Sequence, residues 1–282
     1  MPFPQQCVYA AKLGYDGLEI APYTLSEEPH RMGAAQIAAA RAAAADAGIA
    51  VTGLHWLLLK PHGLSISTRE EAVRKRTVDV MLALVDQCAE LGGRYLVHGS
   101  PQQRRVDAGD TRAVAMARAQ ECFAAVAERA EKAGVVYCIE PLSADQTPLI
   151  HTIEEAARMV EAIGSRSVRS MLDCSAAGRM ETAPLPALVD TWLPKGMIAH
   201  VQVNDRNRRG PGQGEQRFAP LFAALVRHGY AGDIAVEPFD YVPDGPGAAA
   251  RAIGYIKGIL EALTEEGETT RIISARGAAS KM

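Results

Sequence analysis

The sequence predicts an α/β protein, a (β/α)8 TIM barrel with the first strand missing or atypical at the N-terminus. Three observations predict it. Short apolar runs alternate with Ala-rich helical stretches along the chain, the pattern of a parallel sheet covered by helices. A length of 282 residues suits one barrel, which typically takes about 250. Each strand candidate also carries a polar residue near its C-terminal end, where barrels place their chemistry.

In chain order, PQQCVYAAKLG reads as a helix and DGLEIA (16–21) as the first strand. VTGLHWLL (51–58), YLVHGS (95–100), VVYCIEPL (135–142), VRSMLDCS (168–175), MIAHVQVND (197–205) and DIAVEPF (233–239) follow. They are aliphatic or β-branched almost throughout, as strands buried on both faces should be. Between them, GAAQIAAARAAAADAG and EEAVRKRTVDVMLALVDQCAELGG read as helices, the second ending at a glycine pair suited to a C-cap. Thr152 and Glu155 predict a capping box. Seven strands are counted, not eight, and a helix comes first. The tail RIISARGAASKM is the only other segment available to replace the absent strand. The expected division is one barrel domain over 1–266 and a tail over 267–282. An open, doubly wound dinucleotide fold lacks support, because no GxGxxG follows the first strand.

A net charge of −3 argues against a general nucleic-acid or membrane-surface binder. No apolar run is long enough to span a bilayer. The five cysteines are scattered without CxxC spacing, which predicts buried thiols and a cytoplasmic location. The expected partner is a small carbohydrate, with no nucleic acid and no membrane.

The strand-end polar residues are Glu19, His55, His98, Glu140, Asp173, Gln202 and Glu237, one per βα unit. A closed barrel would converge them on one axis. Buried carboxylates must be paired or bind a cation. Glu140, Asp173, Gln202 and Glu237 offer three carboxylates and an amide oxygen, a donor set that suits one Mn²⁺ or Mg²⁺ ion. The bland alternative pairs the carboxylates with Arg169, Arg208 or Arg209. His55 beside Trp56 could stack on and hydrogen-bond a sugar. His55 and His98 each have a competing role as core hydrogen-bonders, and Glu19 as a loop cap.

The stretches GYDGLEI, YLVHGSP, IEPL, MLDCS, HVQVNDRNRRGPGQGE and IAVEPF resemble the xylose-isomerase-like TIM-barrel superfamily of sugar isomerases and epimerases, over about residues 10–260. The resemblance to its ketose 3-epimerases implies that Glu140, Asp173, Gln202 and Glu237 hold one metal ion. It implies that Glu140 and Glu237 are the acid/base pair and that Arg208 contacts substrate. His55, Trp56, His98 and Glu19 are the further substrate-binding candidates. The chain departs from the pattern in three places. Gln202 stands where His is usual, as in hydroxypyruvate isomerases. Gln146 replaces a substrate-contacting Glu, and Ala176 a substrate-contacting His. The resemblance implies a homo-oligomer, dimer or tetramer.

The implied chemistry is proton transfer next to a carbonyl, in an isomerase or epimerase. A lyase or dehydratase on an oxidised sugar or glycoside, and a non-catalytic sugar-binding barrel, are the alternatives. A DNA-repair endonuclease of the same fold would need a larger cluster of His and carboxylates. After Gln202, the Arg208–Arg209 pair could fork to hydroxyls, a carboxylate or a phosphate. Gly210, Gly212 and Gly214 would let the backbone approach the ligand.

Overall fold

The computed structural model describes the backbone of residues 1–279 and side chains through residue 264. The elements are α1 (Phe3–Leu13), β1 (Gly17–Ile20), α2 (Ala34–Asp46), β2 (Ala50–Leu54), α3 (Glu71–Leu91) and β3 (Tyr95–His98). They continue with α4 (Arg112–Ala133), β4 (Val136–Ile139), α5 (Ile153–Ile163), β5 (Val168–Asp173), α6 (Cys174–Met180) and α7 (Leu185–Trp192). The last are β6 (Ile198–Val203), α8 (Ala219–Arg227), β7 (Ile234–Val236) and α9 (Gly245–Ala279).

All seven strands pair in parallel and in chain order, β1 through β7. The barrel is therefore nearly closed, and a seam lies between β1 and β7, where an eighth strand would pair. Burial follows the seam. Every residue of β3 is buried, whereas Ile234, Ala235 and Val236 of β7 are half-buried. The tail does not fill the gap. α9 continues as helix through position 266 to Ala279, and 280–282 lie outside the described residues.

Local signals act as expected, with one shift. α3 ends at Gly92 in the left-handed conformation, φ 90°, which glycine adopts without steric cost. At α5 the Thr152 hydroxyl accepts from the Glu155 amide at 3.2 Å. The reciprocal bond of the box lands one residue early, because the Glu155 carboxylate accepts from the His151 amide at 2.8 Å. It also takes the Arg112 guanidinium.

Two apolar layers position the site. Leu96, Tyr137 and Ile139 point outward and pack with Phe123 and Val126 of α4. Tyr95, Val97, Cys138 and Met171 form a separate inner cluster that fills the barrel. Tyr95 stacks on His200 with ring centroids 3.9 Å apart, closing the interior beneath the strand ends. All five cysteines are free and buried. Among the described residues no helix is long and apolar enough to cross a membrane.

Candidate active site

Strand parity brings Glu140, Asp173 and Glu237 together at the C-terminal end of the barrel. Carboxylate oxygens from the three all lie within 4.8 Å of one another. Burial raises the Glu140 carboxyl well above its ordinary range, and the Glu237 and Asp173 charges raise it further. Burial and then Glu237 push Asp173 up to about 7, against the Ala176 amide and Asn204, which pull it down. Arg169, Arg208 and Arg209 do not neutralise the cluster. Arg169 donates to the carbonyls of Ser165 and Val168. Arg208 lies over the Phe239 ring, 4.8 Å from its centroid. Arg209 binds Asp240 at 2.7 Å.

Gln202 is the expected fourth donor. It is fully buried, and its Nε2 donates to Glu19 Oε1 at 2.6 Å. Its Oε1 has no partner among the described residues. An orphaned buried amide oxygen is costly, and Gln202 is the register partner of Asp173, so a hard divalent cation at the carboxylate cluster would meet the needs of all four. The residues present therefore fit the ion that the donor set implies.

Glu237 is held from the opposite side of the seam. His55 Nδ1 lies 2.9 Å from Glu237 Oε1, and Trp56 Nε1 donates to the same oxygen at 3.0 Å. Trp56 holds this pose with φ 51°, unusual for a bulky residue. Glu19 sits behind them, 3.5 Å from His55 Nδ1 and 2.8 Å from His200 Nε2. Burial drives the Glu19 carboxyl up, but His200, His55 and Gln202 together outweigh it and hold it at about 2. For His55, burial favours the neutral ring, and the bond to Glu237 and the Glu19 charge overcome it, so its pKa rises. A cleft of about 330 Å³ opens beside Glu19, His55 and Glu237. Trp56 and Phe239 line it, with ring centroids 6.2 Å apart.

His98 is not brought to this site. It is fully buried, its Nδ1 lies 2.7 Å from the Tyr137 hydroxyl, and its ring meets Phe123 of α4 edge-on. The inward position at the end of β3 belongs to Gly99, where a Cβ would overlap the Glu140 carboxylate. A shift of one residue along a strand moves a side chain to the opposite face, so β3 gives the site space rather than a polar group. The loop glycines also differ from expectation. Side chains at Gly212 and Gly214 would strike Tyr255 and Asp205, so these two positions serve packing inside the chain. Gln146 turns back on its own loop, where its Oε1 accepts from the Ser143 hydroxyl at 2.7 Å. Ala176 donates its amide to Asp173 Oδ1 at 2.7 Å.

Three residues join the site that the strand-end pattern did not single out. His200 and Asn204 flank Gln202 at a spacing of two and share its face, a signal present in HVQVN. Asn204 Nδ2 donates to Asp173 Oδ2 at 2.8 Å and to the Glu237 carbonyl at 3.0 Å. Its Oδ1 accepts the Ser175 amide at 2.8 Å. The third, Arg104, comes from the loop after β3 and carries no sequence signal.

Comparison with known proteins agrees with the barrel fold. The family profile described as xylose isomerase-like TIM barrel matches residues 7–259. D-psicose 3-epimerase of Agrobacterium fabrum is 27% identical over 237 residues, 81% of this chain and 76% of that protein. L-ribulose 3-epimerase of Mesorhizobium japonicum is 29% identical over 178 residues, 62% of this chain and 58% of that one. Among solved structures, 3-keto-D-glucoside 4-epimerase from E. coli superimposes with a TM-score of 0.78 at 20% identity, covering 91% of this chain and 94% of that one. An L-ribulose 3-epimerase gives 0.77 at 21% identity, covering 95% and 92%. At such identities the structural likeness concerns the fold alone. Match and fold together place the chain in the xylose isomerase-like TIM-barrel family.

Proposed function

We propose that this chain is a divalent-metal-dependent epimerase or isomerase acting on a sugar or small hydroxy-carbonyl compound. The observation that carries the reading is the cluster of three carboxylates that no arginine side chain among the described residues pairs with, next in register to a buried Gln202 whose Oε1 has no partner among those residues. The relatives named psicose and ribulose 3-epimerases support a ketose substrate. Glu140, Asp173, Gln202 and Glu237 would hold the ion, Mn²⁺ or Mg²⁺. Bound there, it supplies Lewis-acid stabilisation of the negative charge that develops on substrate oxygen.

The chain's own residues move the proton. One of Glu140 and Glu237 removes the C–H proton next to the carbonyl. The other delivers a proton to the opposite face, giving an epimer, or to the neighbouring carbon or its oxygen, giving an isomer. General acid–base help of this kind contributes about 10²–10⁴-fold. His55 and Trp56 orient Glu237 through Oε1. The Trp56 and Phe239 rings exclude water from one wall and offer faces for the sugar's C–H groups. Arg208, exposed on its loop and stacked on Phe239, is placed for a distal substrate oxygen.

The withdrawal of Gln146 onto Ser143 and the small Ala176 keep a second reading open. In that reading the same proton abstraction expels a β-substituent from an oxidised sugar or glycoside.

One experiment separates the readings. Protein purified without chelator is assayed for metal, loaded with Mn²⁺, desalted, and incubated in D₂O with a panel of ketoses and 3-keto-glycosides. Deuterium entering a carbon next to the carbonyl, with epimer or isomer formed, supports the proposal. An unsaturated product supports elimination. Protein that retains no divalent ion under either condition and exchanges no substrate proton would sink both and favour a sugar-binding barrel.

A further inference from the structure

Arg104 is fully buried, among the largest side chains to be so. No carboxylate among the described residues bonds it. Its Nη1 donates to the Glu140 carbonyl at 2.7 Å and its Nη2 to the His98 carbonyl at 2.6 Å. These carbonyls stand side by side where the β3–β4 ladder stops. The last register pair is His98 with Ile139, and the Glu140 amide reaches the His98 carbonyl at 3.3 Å. A planar guanidinium can fork across two such acceptors, and an ammonium on a flexible stem cannot do so with the same geometry. The Arg104 main chain is fixed as well. Its amide donates to the Pro101 carbonyl at 3.2 Å, and its carbonyl accepts the Thr147 hydroxyl at 3.1 Å. The loops after β3 and β4 are thereby tied to one residue.

A buried cation held by neutral carbonyls is costly unless neighbouring charge offsets it. The neighbouring charge here is the carboxylate cluster. Within that cluster the Glu140 carboxylate is the one whose charge acts on the Arg104 guanidinium. Gly99 leaves the Glu140 carboxylate its space, and Arg104 fixes the backbone from which that carboxylate projects.

We infer that Arg104 is a positioning residue for the metal site: its two-carbonyl fork sets the backbone of Glu140, and its charge offsets that of the Glu140 carboxylate. This rests on the metal-site reading above. It acts through Glu140 and touches neither substrate nor ion.

The test is Mn²⁺ affinity, read from the electron-paramagnetic-resonance signal of free Mn²⁺, on folded wild type and on Arg104→Lys and Arg104→Met. Lys keeps the charge and loses the fork, and Met loses both. Outer partners of metal ligands typically contribute about 10–100-fold in affinity. Arg104→Lys should therefore bind at least about tenfold more weakly than wild type and Arg104→Met more weakly still, with the barrel circular-dichroism spectrum intact. Phe222→Leu, on the buried face of α8, controls for general destabilisation and should lower Tm with Mn²⁺ affinity unchanged. Wild-type affinity in Arg104→Lys, or an equal loss in Phe222→Leu, would overturn the assignment. If Arg104→Met does not fold, Arg104→Lys alone decides. Wild type that binds no Mn²⁺ would instead remove the metal-site reading, and this inference with it.

Discussion

The two sides of the barrel hold their carboxylates by different means. On the β4–β5 side the anchors are one main-chain amide and two side chains, Asn204 and Arg104, the latter gripping main chain. The Ala176 amide and Asn204 Nδ2 seat the two oxygens of Asp173, and Arg104 grips the Glu140 backbone. Across the seam, Glu237 and Glu19 are held by side chains, His55, Trp56, His200 and Gln202. Strands on the first side are buried, and β7 is half-buried. Anchors made through the main chain, the Ala176 amide and the Glu140 carbonyl held by Arg104, fix a carboxylate as firmly as the strand that carries it. Side-chain donors give it a site without a rigid frame, and the cleft opens on that side. The contrast assigns Glu140 and Asp173 the more rigid places and Glu237 the more adaptable one.

Replacement of the carboxylates tests both sides at once. Glu140→Gln and Glu237→Gln should each lower kcat by about 10²–10⁴-fold, with the circular-dichroism spectrum unchanged. Full turnover in either would remove that residue from proton transfer. Asn204→Leu strikes a residue that bonds both sides, and Mn²⁺ affinity should fall by about 10–100-fold, measured by titration of the apoprotein. Gly99→Ala intrudes on Glu140 from the rigid side, which has little room to adjust. Overpacking of this kind costs about 1–3 kcal/mol, to be read by urea denaturation, and the loss should shrink in Glu140→Ala, where the clash is gone. Trp56→Phe removes one bond from the adaptable side and keeps the ring wall. It should lower kcat about fivefold, a change equivalent to about 1 kcal/mol. The smallest effect at the site belongs to His98→Gln. It disturbs the Tyr137 contact on the helix side and should lower Tm while leaving KM unchanged. A raised KM would return His98 to the substrate pocket.

The features legible in the sequence were those set by local pattern. The alternation of apolar runs and helices, the seven strands and the carboxylate at the end of four of them follow from period and residue type. The register at a strand end was not legible. YLVHGS offers His98 and Gly99 as neighbours, and only packing against Phe123 on one side and Glu140 on the other decides which faces inward. HVQVN did carry the signal for His200 and Asn204 in its period of two, masked by the prominence of the Arg-Gly run that follows.

By itself the sequence determined a parallel barrel one strand short, with Glu140, Asp173, Gln202 and Glu237 at strand ends, because hydrophobic period and buried charge are properties of short segments. The tertiary structure alone decided that Glu19 turns the Gln202 amide, that His55 and Trp56 reach across the seam to Glu237, and that Arg104 clamps two strands. Those contacts join residues 36 to 183 positions apart. Nothing in a local pattern specifies such pairs, and only closure of the chain into a ring brings them within hydrogen-bond distance.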